Sequence, residues 1–233
     1  MKKISLLLCT AMVMVACSTE NKNTMYVKGK VRGLKKGTFY LQKQIDSLIV
    51  SVDSVHVNGS EEFLMTDEIE SPEMYYLTLG NSQKRIPFFG EKDTINISSQ
   101  LDRFSEKAVI KGSANQDLLN AFNEMQKKFS NQNLDFIKEE FEARKLGSQD
   151  SVDLVLKKMQ NWTKKRYLYT TNFAVKNGNF EVSPYIALTE LADANLSLLD
   201  TVNNSLSEEI KVSKYGMQLD KFIKEIKSQE QSQ

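Results

Sequence analysis

Three places in the chain gather side chains that could do chemistry. Asp53, Ser54 and His56 stand together in "VDSVHV", Asp67, Glu68, Glu70 and Glu73 form an acidic group, and "KKRYLY" at residues 164 to 169 is basic and aromatic. A serine nucleophile needs its base within hydrogen-bond reach and a third group to orient that base. On a strand, Ser54 and His56 share a face and Asp53 points the other way. Structural hydrogen bonding at a strand end is therefore the expectation there. The acidic group lacks the ligand spacing and turn glycine of a calcium loop, and reads as a solvated loop. His56 is the sole histidine, so neither HExxH nor any two-histidine zinc site can form. Tyr75, Tyr76, Phe88 and Phe89 alternate along two strands, which puts about half of them in a core. Trp162 has the helical spacing of a packing residue; Tyr167 and Tyr169 could add to a glycan or protein surface. Arg166 interrupts that apolar stripe, as a salt-bridged or snorkelling side chain does.

Both cysteines, Cys9 and Cys17, lie in "LLLCTAMVMVACSTEN". Lys2 and Lys3 precede an uncharged run from Ile4 to Val15, too short for a membrane-spanning helix but suited to a secretory leader. Met14-Val15-Ala16-Cys17, followed by polar residues, resembles the lipobox of bacterial lipoproteins. That resemblance implies cleavage before Cys17, a diacylglyceryl group on its thiol and an acylated amino terminus. Met14 stands where leucine is usual. Several acyl chains suffice for stable anchoring without a span. The resemblance further implies that Cys9 leaves with the leader and Cys17 becomes a thioether. No thiolate would then remain for disulfide exchange or for cysteine-type zinc. Net charge is +1, and −1 without Lys2 and Lys3, which offers no basic field for nucleic acid.

The elements change character near Gly112. From Met25 onward come short apolar runs at spacings near ten residues: "MYVKGKV", "TFYLQK", "LIVSVDSVHV", "EMYYLTL", "RIPFF", "TINIS" and "KAVIKG". About eight strands are expected, in an antiparallel sandwich or barrel. Asn58-Gly59 reads as a two-residue hairpin turn between Val55/Val57 and Phe63/Met65. Beyond Gly112 the period becomes helical. Ser113 with Gln116 fits a capping box, and Leu118, Phe122, Met125 and Phe129 follow at helical spacing. Ile137 and Phe141 mark a second helix ending near Gly147. A third runs from about Asp150 to Asn177, Ser183-Pro184 opens a fourth, and a last one carries Tyr215, Leu219, Phe222 and Ile226. Strands first and helices after make an α+β chain.

"KGKVRGLKKGTFYLQ", "VDSVHVNGSEEF", "PEMYYL" and "VIKGS" resemble the domain of unknown function 4369, which precedes thioredoxin-like modules in many Bacteroidetes envelope proteins. Asp53, Ser54, Gly59 and Phe63 fill its Asp-Ser, Gly and aromatic places. "SPYIALTEL" and "SKYGMQLDKFIKEI" are similar to the helical connector that follows it, so the resemblance spans roughly residues 25 to 227. The thioredoxin module with its CxxC is not in this sequence, and its redox activity does not carry over.

The expected organisation is a leader at 1–16, a lipidated terminus and linker at 17–24, a β domain at 25–112, a helical domain at 113–228 and a polar tail at 229–233. The expected function is a non-catalytic, lipid-anchored binding or scaffolding module of the cell envelope, with no cofactor and no metal. Its expected place is a membrane, the outer membrane first, on its periplasmic or surface face, held through Cys17. Partners would be an envelope protein, either a separate thioredoxin-like protein that it serves or a transporter, with glycan or peptide as ligand in the latter case. No nucleic acid is expected. Tyr215, Leu219, Phe222 and Ile226 are the candidate partner surface, against the alternative that this stripe packs on the preceding helices.

Overall fold

A computed structural model describes residues 23–80 and 84–231. The expected leader, Cys9, Cys17 and the linker up to Lys22 lie outside the described residues. Eight strands come first: β1 (Thr24–Arg32), β2 (Lys36–Ile45), β3 (Leu48–Asn58), β4 (Glu62–Glu68), β5 (Glu73–Leu79), β6 (Arg85–Gly90), β7 (Asp93–Gln100) and β8 (Val109–Lys111). They form two four-stranded sheets, ordered β4-β1-β7-β8 and β3-β2-β5-β6. The period-2 pattern of β1 buries Met25, Val27, Gly29 and Val31 and exposes the lysines between them. Inner faces of both sheets meet in one core, with Phe39, Leu41, Tyr75, Leu77, Phe88 and Ile95 fully buried. This is a sandwich and not a closed barrel.

Two expectations about strand pairing are corrected. β1 and β7 run parallel, whereas the other pairs are antiparallel. The chain changes sheet repeatedly, so a late strand returns beside the first. Asn58-Gly59 does not close a hairpin, because β3 pairs with β2 and β4 with β1. There the chain steps between sheets. Gly59 alone takes positive φ (+82°), and its N–H donates to the Lys35 carbonyl at 2.7 Å. The tight hairpin is Ile45-Asp46-Ser47-Leu48, with Asp46 at φ +52°, a conformation a short polar side chain tolerates.

Gly29 has a steric reason. A Cβ there would lie 1.8 Å from Cζ of Phe63, its cross-strand partner, so the bare backbone makes room for the ring. Phe63 in turn lies against Phe39, ring centroids 4.1 Å apart.

Six helices follow: α1 (Ala114–Lys145), α2 (Gln149–Lys176), α3 (Val182–Glu190), α4 (Leu196–Ser205), α5 (Glu208–Lys211) and α6 (Lys214–Gln231). Ser113 caps α1 by accepting from the Gln116 N–H at 3.0 Å. The two helices expected between Leu118 and Gly147 are one, since no glycine or proline interrupts residues 114 to 145. Gly147, at φ +68°, makes the turn into α2. Ser183 does not cap α3, which begins one residue earlier; the buried Ser183 hydroxyl donates to the Ala174 carbonyl of α2. Residues 229–231, expected as tail, continue α6.

The change at Gly112 is one of secondary structure and not of packing. Met74 and Phe89, on the outer face of the second sheet, share a cluster with Phe122, Val182, Ile186 and Tyr215. Rings of Phe89, Tyr185 and Tyr215 meet edge-on at 5.2 to 6.1 Å, tying β6, α3 and α6 together. The Phe89 N–H of edge strand β6 donates to Gln116 Oε1 at 2.8 Å, so the second half of the expected capping box serves the sheet instead.

Candidate functional site

Asp53 is a structural residue. Its carboxylate accepts from the Ser54 N–H at 2.7 Å and the Thr66 N–H at 2.8 Å. Thr66 lies on β4, an edge strand of the first sheet, and Asp53 on β3, an edge strand of the second. One side chain therefore satisfies an open edge donor and joins the two sheets at their corner. The irregularity in β2–β3 pairing next to Leu41/Gln42 adjoins it. His56 is exposed and pairs through Nδ1 with the Thr38 hydroxyl across the hairpin, at 3.1 Å. Asp53 is thus directed to backbone N–H groups and His56 to Thr38, and not to each other.

Of the acidic group, Glu68 and Glu70 are exposed as expected, but Asp67 and Glu73 are drawn into a network. Lys43 reaches Asp67 at 2.7 Å and Glu73 at 3.4 Å, and the hydroxyl of Tyr75 donates to the same Asp67 oxygen at 2.7 Å. Lys214 of α6 binds the other Glu73 oxygen and the Gln44 carbonyl. Two carboxylates and two ammonium groups alternate between β2, β4, β5 and α6. Burial works against the charged form of Lys43, yet its hydrogen bond to Asp67 and the Glu73 charge outweigh this and hold its pKa above the ordinary lysine value. Burial pushes the Tyr75 phenol up, and the Asp67 hydrogen bond adds to it. Such a network ties elements together and leaves no vacancy for a cation. Among the described residues no group of three or more His, Cys, Asp or Glu is placed to hold a metal, and no helix is long and apolar enough to cross a membrane.

The candidate partner stripe on α6 is a packing face. Leu219 is fully buried and Tyr215 nearly so. Phe222 and Ile226 pack, half-buried, on the cluster of Ala174, Leu199, Val202 and Leu206. The Tyr215 hydroxyl accepts the Met74 N–H at 2.9 Å, filling a donor on β5. The packing alternative describes this stripe, so the open face expected at these four residues is withdrawn. Burial, helped by Tyr185 and Glu73, pushes the Tyr215 phenol above its usual range.

Polar atoms without partners lie elsewhere. A cleft of about 390 Å3 opens between α1, α2 and the end of α3, with Gln126 and Asn133 on one wall and Trp162, Arg166 and Glu190 on the other. Phe129 holds Trp162 edge-on at 6.0 Å, so the indole is supported from below. Arg166, one turn on, lies over the rings of Trp162 and Tyr167. Its Nη1 meets Glu190 at 3.3 Å, and Gln126 donates to the same oxygen at 3.0 Å. Burial raises the pKa of Glu190, partly offset by Arg166. Trp162 Nε1 and Arg166 Nε are buried and have no hydrogen-bond partner among the described residues. An unsatisfied buried donor costs about 1–3 kcal/mol, and these two are the unmatched buried side-chain donors among the described residues.

Sequence reasoning reached Trp162, Tyr167 and Arg166 but not the cleft. Arg166 forms the salt bridge its place in the stripe suggests, and Trp162 does pack. What spacing along α2 does not show is that α1 and α3 leave room beside it.

Residues 25–119 match the model of a domain of unknown function, DUF4369. The match covers the eight strands and ends in the second turn of α1. Neither curated proteins nor solved structures gave a match to the chain.

Proposed function

We propose that this chain is a non-catalytic binding module of the cell envelope, anchored by lipid at Cys17, in which the sandwich is the scaffold and the helical arm carries recognition. The observation that supports it is a cleft of ligand size whose walls carry Gln126, Asn133, Trp162, Arg166 and Glu190. In the sandwich, by contrast, Lys43, Asp67 and Glu73 are spent on one another and on Lys214 of α6. Of the two roles open to such a protein, ligand capture is favoured over service to a thioredoxin-like partner, because the α6 stripe that would face such a partner is packed inward.

Anchoring and binding are tested separately. Cys17→Ala should leave the membrane fraction or persist as uncut precursor; a processed, membrane-bound variant would defeat the anchor. For binding, a panel of sugars, amino acids and dipeptides should contain a compound that raises the Tm saturably. Ser130→Trp, which fills the cleft from α1, should abolish that rise. A panel with no responder removes the binding reading.

A further inference from the structure

Resting on the lipid anchor at Cys17, and not on the cleft, we propose that the tip of the β2–β3 hairpin is a second membrane contact, seated in the headgroup layer of the same bilayer. Ile45, Leu48 and Ile49 are 48, 69 and 45 % exposed. Single exposed apolar residues are ordinary, but three gathered at one hairpin tip are a surface with something to meet. Ile45 and Leu48 pair across the hairpin and share a face, while Ile49 lies on the other. Apolar groups on both faces of a strand pair cannot all turn to the core of one sandwich. A bilayer surface takes up such a tip from either side.

The place of the tip in the fold decides the occupant. Ile45 lies two residues past Lys43, whose ammonium reaches Asp67 at 2.7 Å, and Asp67 pairs with Met25 at the start of β1. The Ile69 N–H, just beyond β4, donates to the Asn23 carbonyl at 3.0 Å. Asn23 and the hairpin tip therefore share one end of the sandwich. Cys17 stands six residues before Asn23, a reach of no more than about 20 Å. Lipid on Cys17 thus brings this end of the molecule to the bilayer. Charge does not supply the attraction, because Asp46, Glu68, Glu70 and Asp93 are exposed at the same end with only Lys92 beside them. The contact is apolar and suits zwitterionic lipid. Its depth is limited by the Asp46 carboxylate at the turn and by the outer edge of β3, whose backbone polar groups hydrocarbon would leave unsatisfied. Acyl chains hold the protein on the surface; the tip sets how it stands there.

The full chain is purified from its membranes and reconstituted in phosphatidylcholine vesicles that carry a nitroxide near the top of the acyl chains. Leu48→Cys and Asn58→Cys each receive one environment-sensitive dye, at opposite ends of β3, about 33 Å apart. The expected result is strong quenching at position 48, none above background at position 58, and no change on adding salt. Ile45→Ser with Ile49→Ser, placed in the Leu48→Cys chain, should lose most of that quenching while the protein still floats with the vesicles. Equal quenching at both positions, or full quenching without the two isoleucines, overturns the hairpin contact, and flotation still upholds the anchor. Quenching that salt abolishes overturns the apolar contact in favour of attraction by charge. A parent chain that takes up dye, or that does not float, defeats the anchor at Cys17 and this inference with it.

Discussion

The sandwich and the α1–α2 arm differ in how their buried polar groups are matched. In the sandwich, Asp53 closes an edge donor, Lys43 and Lys214 neutralise Asp67 and Glu73, and Phe39, Leu41, Tyr75, Leu77 and Phe88 turn inward, while Ile45, Leu48 and Ile49 at the β2–β3 hairpin stay exposed. On the arm, Leu134, Ile137, Phe141 and Leu154 are exposed, and two buried donors lack partners. The difference separates what holds the fold from what is open to use. Stability concentrates where every group is matched, and a molecule with partners to find leaves groups unmatched.

The largest effect that could break this contrast comes from placing a lysine in each region. Leu219→Lys buries an unpaired charge under α6 and should cost about 3–5 kcal/mol, measured by denaturant unfolding. Phe141→Lys, on the exposed arm, should change stability by no more than about 0.5 kcal/mol. Equal losses would mean the arm is as tightly packed as the body.

A smaller effect sharpens the account of the sheet corner. Asp53→Ala leaves the Thr66 N–H without its carboxylate and should cost about 1–2 kcal/mol. Asp53→Asn keeps one acceptor oxygen and should lose less. If both variants unfold at the same denaturant concentration as the parent, the corner is held by something other than Asp53.

How far the sequence showed this fold depends on whether a feature is local. Alternation in "MYVKGKV" and "EMYYLTL" places strands, and Ser113 places the start of α1, because pleat and cap are set within a few residues. Pairing between strands is not local. Asn58-Gly59 carries the chemistry of a hairpin turn, yet its flanking strands go to different sheets, while the real hairpin turns on Asp46-Ser47 inside an apolar run. The same limit hid the roles of Asp67 and Glu73, whose partners Lys43 and Lys214 are distant in sequence. For the site, helical spacing marked Trp162 and Arg166, but their unmet donors follow from what α1 and α3 do not supply.

The smallest effect concerns Glu181, at the junction of the two regions. Asn115 donates to both Glu181 and Glu91, each at 3.2 Å, and accepts the Val182 N–H at 2.8 Å, so two carboxylates share one amide beside the start of α3. Burial raises the Glu181 pKa above its ordinary 4.5, with the charges of Glu91 and Glu209 adding to it against its hydrogen bonds. A carboxyl whose pKa is higher folded than unfolded binds more protons in the native state. Its contribution to stability is therefore fully present below the unfolded value and is lost as pH rises through the folded one. Glu181→Gln keeps an acceptor for Asn115 and removes the charge. The variant should match the parent near about pH 4 and exceed it near about pH 8, by about 1 kcal/mol at most, or about 2–4 °C in Tm. An offset constant across pH would show that the gain comes from packing and that the Glu181 charge is not held against its burial. A loss at about pH 8 would instead make the ionised carboxylate part of what joins arm to sandwich, and the contrast between a matched body and an unmatched arm would then begin at α3 and not at Gly112.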